Sequence, residues 1–158
     1  MEAIKKLVNE YVSINNEIRN LNQGGCGIFA EHLYFTLKKM GYKPRLILLT
    51  RDKEQLRKFV KLNTTDCSDF YFLSIGHVVV SINGKLIDSR GIHDTVEECW
   101  SSLYYEYKTL PVKLALLQKW NKDEHFWNSS FDRRNIKTIE KKLANCYKKL
   151  HKKLEVSI

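Results

Sequence analysis

Two prolines, seven glycines and four cysteines are all the punctuation this 158-residue chain carries. The cysteines (Cys26, Cys67, Cys99 and Cys146) are widely spaced and include no C-x-x-C pair. That removes a zinc knuckle from the reading and favours a reducing compartment over a disulfide framework. No apolar run approaches the roughly 20 residues of a membrane span. The opening MEAIKKLVNEY also lacks the apolar core of a secretory signal, so a soluble cytoplasmic protein is expected. No internal repeat, low-complexity linker or break in composition divides the chain, and one domain over residues 1–158 is expected. Glycine is missing from ninety residues. All seven, at 24, 25, 27, 41, 76, 84 and 91, lie between Gly24 and Gly91.

What is present is ordinary in amount: 43% hydrophobic and 28% charged residues, a globular composition. The charge is lopsided, with 27 Lys and Arg against 18 Asp and Glu, a formal net of +9. Ile4, Leu7, Tyr11, Ile14, Ile18 and Leu21 recur at three- and four-residue steps, which predicts an amphipathic helix over 2–21. A second helix is predicted from Cys26 to about Met40, with Phe29, Leu33, Leu37 and Met40 on one face and Gly41 at its C-terminal cap. Pro44–Thr50 reads as a strand and Lys53–Leu62 as a charged helix with Asp52 as N-cap. After a polar loop at Asn63–Asp69, the runs Phe70–Ile82 and Lys85–Asp88 read as a hairpin closed by Asn83-Gly84. Asp94 with Glu97 predicts a helix to about Tyr105. Beyond Pro111 the chain reads as helical, with a pause at Asn128–Ser130 and a long basic helix over Asp132–Leu154. The expected class is α+β with a mainly antiparallel sheet, a core over 22–92 and a helical cover over 94–158.

Three residues form a candidate site. Cys26 stands among glycines at the first turn of a predicted helix, where unpaired N–H groups and the helix dipole stabilise a thiolate. A buried structural cysteine is the bland alternative. A two-residue turn at Asn83-Gly84 sets Ile82 opposite Lys85, Ser81 opposite Leu86, Val79 opposite Asp88 and His77 opposite Arg90. His77 and Asp88 then share a sheet face as diagonal neighbours, within reach of an imidazole–carboxylate hydrogen bond. Such a pair fixes the tautomer and stabilises the imidazolium, as a general base requires.

The phrases Gly25-Cys26-Gly27-Ile28-Phe29-Ala30, Gly41-Tyr-Lys-Pro-Arg45, Gly76-His77-Val-Val-Val80 and Asn83-Gly-Lys-Leu-Ile-Asp88 follow one another in an order that resembles a known group. It is the transglutaminase-like branch of the papain-like cysteine enzymes, which includes arylamine N-acetyltransferases. The resemblance covers about residues 24–92 and implies a papain-like core with Cys26 as nucleophile, His77 as base and acid, and Asp88 as orienting carboxylate. It further implies acyl chemistry on an amide-type bond through a thioester, without a cofactor, in a protease, amidase, deamidase or acyltransferase. The Cys26 N–H and the side chain of Gln23 or Asn22 are the candidate oxyanion donors.

Other features have plainer readings. His93-Asp94 is a rival pair, but capping explains Asp94 more simply. A metal site from Cys26, His77 and Asp88 lacks a short-spaced ligand pair. Trp100, Trp120 and Trp127 read as core or groove residues. Residues 132–155 hold nine Lys or Arg against Asp132, Glu140 and Glu155, a net of +6. The stripe Ile136, Ile139, Leu143, Cys146 and Leu150 suits packing on the first helix or a homodimer seam. The basic face suits solvent, an acidic partner or nucleic acid. The alternative to an enzyme is therefore a binding protein on the same fold, engaging an acidic partner or nucleic acid through this helix.

Overall fold

The structure, a computed structural model, describes residues 2–18, 25–62, 75–101, 103, 106–123 and 132–155. Helix α1 (Glu2–Glu17) buries Ile4, Leu7 and Val8, two of them at predicted positions. Helix α2 (Cys26–Lys39) buries Phe29, Leu33 and Leu37 along one stripe, each contributing about 1.5–3 kcal/mol of burial. It ends as Gly41 predicts. Gly41 has φ +83°, its N–H donates to the Lys38 carbonyl, and the Tyr42 N–H donates to Leu37, which satisfies two orphan carbonyls.

The chain continues through β1 (Arg45–Thr50), α3 (Lys53–Leu62), β2 (Ile75–Ile82), β3 (Lys85–Asp88) and β4 (Gly91–His93). It closes with α4 (Val96–Cys99), β5 (Lys108–Val112), α5 (Leu114–Lys122), a 3₁₀ turn at Arg133–Asn135 and α6 (Ile136–Glu155). The five strands form one antiparallel sheet in the order β4-β3-β2-β1-β5. Its class is α+β, as predicted.

One face of the sheet presents Leu46, Leu48, Val78, Val80 and Ile87 to α1, α2, α5 and α6, in a core that includes Trp120. The other face carries Ile47, Leu49, Val79 and Leu86, covered by Cys99 and partly by Trp100 and Tyr107. The stripe of α6 packs on α1 and α2, where Ile139, Leu143 and Cys146 are buried.

Three expectations need correction. Residues 94–158 are not a purely helical cover, because β5 lies within them. Pro111 sits inside that strand, opposite Ile47, and β5 tolerates it as an edge strand because one side of it needs no ladder N–H. The helix from Asp94 is one turn, and its N-cap is Thr95, whose hydroxyl accepts from the Glu98 N–H. Asp94 instead pairs with Lys85. The loop at 63–69, the start of the long strand at 70–74 and the pause at 128–130 lie outside the described residues.

Candidate active site

The hairpin that carries the site has the predicted register. Asn83 and Gly84 both take left-handed backbone, φ +50° and +81°, the geometry of a two-residue turn that matches strand twist. Ile82 faces Lys85, Ser81 faces Leu86 and Val80 faces Ile87. His77 and Asp88 consequently share a face, and His77 Nε2 lies 2.8 Å from Asp88 Oδ2, with both side chains buried. The predicted pairing of His77 with Arg90 does not form. β3 ends at Asp88, and residues 89–90 turn the chain back so that Asp88 faces Gly91.

Arg90 contributes differently. Its backbone N–H donates to Asp88 Oδ1 at 2.8 Å, and its Nε and Nη2 donate to Oδ2 at 3.1 and 2.8 Å. His93 Nε2 lies 3.0 Å from Oδ1, so His93 pairs with Asp88 rather than with its neighbour Asp94. The Cys99 thiol donates to Oδ2 at 3.7 Å. One carboxylate thus gathers two imidazoles, a guanidinium and a thiol. Burial opposes its charge, but the hydrogen bonds from His77 and His93 and the charges around it hold the carboxyl well below the usual carboxylate range.

His77 responds in the opposite sense. Burial disfavours the imidazolium, yet the hydrogen bond to Asp88, the nearness of Cys26 and the Asp88 charge raise its pKa to about 9. Nε2 is taken by Asp88, which leaves Nδ1 as the nitrogen available to Cys26. Nδ1 is buried and has no hydrogen-bond partner among the described residues. Trp100 covers the ring, stacked with centroids 4.8 Å apart and planes 22° apart. Arg90 lies over Trp100, 5.5 Å from its centroid, and donates to the Cys99 carbonyl, tying that segment to the Asp88 turn.

Cys26 is the first residue of α2, buried to 6% exposure. Gly25 is the N-cap and has no side chain of its own, so among the described residues no side-chain cap occupies the first-turn N–H groups. The helix start is pinned from behind. Asn121 of α5 donates to the Gly27 carbonyl at 3.1 Å and to Glu31 at 2.7 Å, and Gln118 donates to the other Glu31 oxygen at 3.0 Å. By strand parity His77 points away from the helix layer. The β1–β2 ladder is irregular between Leu49, which faces His77, and Thr50.

His77, Asp88 and Cys99 offer ligand atoms within 4.8 Å of one another, a spacing a cation can bridge. Arg90 already supplies positive charge to Asp88 there. Burial and the Asp88 carboxylate push the Cys99 thiol up to about 12, and Arg90 pairs with the same carboxylate. Asn22, Gln23, Cys67 and Trp127 lie outside the described residues. Trp120 is core. The sequence reading missed Arg90, Cys99 and the Asp88–His93 contact. Ser89-Arg90-Gly91 was the unused signal, because a turn there sets His93 opposite Leu86 and so diagonal to Asp88.

Comparison with family models, with curated proteins and with solved structures finds no match for this chain.

Proposed function

We propose that Cys26, His77 and Asp88 form a catalytic triad of a papain-like, transglutaminase-like core that cleaves an amide-type bond in a protein or small-molecule substrate. One observation carries the reading. A buried imidazole has one nitrogen fixed by a carboxylate, while the other has no hydrogen-bond partner among the described residues and is the nitrogen left for Cys26, the first residue of α2. In this mechanism Sγ of the Cys26 thiolate attacks the carbonyl carbon, and the oxyanion is met by first-turn N–H groups of α2. The leaving amine takes the proton from His77 Nδ1, and a thioester remains on Cys26. Water then gives a proton to Nδ1, attacks the thioester, and releases the acid and the thiolate. Hydrolysis is favoured over transfer because water requires no second binding site, which points to a protease, amidase or deamidase.

Iodoacetamide adducts mapped by mass spectrometry from about pH 5 to about pH 9 test the triad. Cys26 should label ahead of Cys99 and Cys146. Burial and Asp88 hold the first of those thiols at about 12, and burial and Glu10 hold the second at about 11. His77→Ala should slow Cys26 labelling at neutral pH. Labelling of Cys67, Cys99 or Cys146 with Cys26 spared overturns the reading and leaves a buried structural network.

A further inference from the structure

Helix α6 turns Ile139, Leu143 and Cys146 into the core. At about 100° per residue, Lys137, Lys141, Lys148 and Lys152 fall within an arc of about 60°, centred about 180° from that buried stripe. All four are exposed. They form a ridge about 22 Å long at 1.5 Å rise per residue. Between Lys137 and Lys152 no acidic residue stands in this arc, and the small residue Ala144 lies about 20° beyond its edge. On the flanks, Lys149 pairs with Glu10 at 3.7 Å, and Glu140 lies 3.7 Å from the His32 ring. The four ridge lysines form no ion pair among the described residues. A helix face charged only for solubility mixes both signs.

The chemistry of the ridge selects its partner. Protein interfaces are built around aromatic, Met and Arg anchors and are depleted in lysine, and this face has none of those anchors. A helix that lies in a membrane interface inserts an apolar face, and the apolar face of α6 is already inside the protein. A row of ammonium groups suits a regular array of phosphates read by charge alone. We propose that this ridge docks the phosphate backbone of a nucleic acid duplex without regard to sequence, each of the four lysines displacing one condensed counterion.

Fluorescence anisotropy of the full chain with a labelled mixed-sequence DNA duplex of about 20 base pairs tests this across about 50–200 mM salt. Four phosphate contacts give a slope of about −3.6 in log affinity against log salt, a loss of about 150-fold over that range. K137Q/K141Q/K148Q/K152Q should abolish binding with an unchanged circular dichroism melt. K39Q/K43Q/K58Q/K61Q, which removes the same charge from exposed positions elsewhere, should keep the slope within about one unit. Cys26→Ala should bind as the parent does, which separates this surface from the triad. The proposal is overturned if both quadruple variants lose binding equally, or if no binding is seen at the lowest salt. It is also overturned if vesicles of equal parts phosphatidylserine and phosphatidylcholine, or polyglutamate, bind the ridge in preference to the duplex.

Discussion

Replacing Asp88 by Asn keeps the shape of the side chain and removes the charge on which His77, Arg90 and His93 converge. With the carboxylate present, the His77 pKa stands at about 9 in the fold against 6.5 for an ordinary imidazole. At 1.36 kcal/mol per unit, the fold gains about 3 kcal/mol when the ring is protonated. Because the folded value is raised, this stability is fully present below pH 6.5 and is lost as pH rises through about 9. Asp88 is shifted the other way. Its contribution is present above the ordinary carboxylate pKa and disappears as acid protonates it through its lowered folded value. The two shifts describe one buried pair and are counted once, with a plateau from about pH 4 to pH 6.5. Urea unfolding at about pH 6 and about pH 9.5 should show the loss of about 3 kcal/mol in the parent, a large share of a typical 5–15 kcal/mol. Asp88→Asn should start about 3 kcal/mol lower at pH 6 and lose little more on the alkaline side, because burial then favours neutral His77. An equal alkaline loss in both proteins would refute the reasoning, since another group would then be titrating.

Two further substitutions probe how the site is held. Gly76→Ala places a methyl carbon 2.3 Å from Cε1 of Tyr107, so the ring or β2 must shift; thermal melting should show a loss of about 1–3 kcal/mol, and an unchanged melt would mean that Tyr107 moves freely. Asn121→Leu strips donors from the Gly27 carbonyl and Glu31, and should cost about 1–3 kcal/mol with faster amide exchange at the start of α2; retained protection there would show that Asn121 does not anchor the start of α2.

The hairpin was legible in the sequence because its information is local. Asn83-Gly84 specifies a turn of two left-handed residues, and the period of the strand then fixes which side chains share a face. Gly41 was legible for the same reason: a helix ending in a Schellman turn needs its positive φ. β5 was not. Lys108–Val112 is five residues with a proline inside, and only its place at the edge beside β1 makes it a strand. The environment of Asp88 was half legible. Its contact with His77 follows from parity along the hairpin, whereas its contacts with Arg90 and Cys99 depend on where residues 89–90 reverse the chain and where the segment after α4 is tied down. A pairing of Cys26 with His77 joins distant parts of the chain, and the order of motifs suggests it without supplying its geometry.

The indole of Trp100 also makes the site its own optical instrument. A protonated imidazole stacked on an indole drains its excited state far more effectively than a neutral one, and the two rings here are 4.8 Å apart. Emission from this protein should therefore brighten as His77 gives up its proton near pH 9, and the difference from a Trp100→Phe variant isolates that ring from the other two tryptophans. The protonation state of a histidine sealed from solvent can be followed with no label, no added reagent and no knowledge of the substrate.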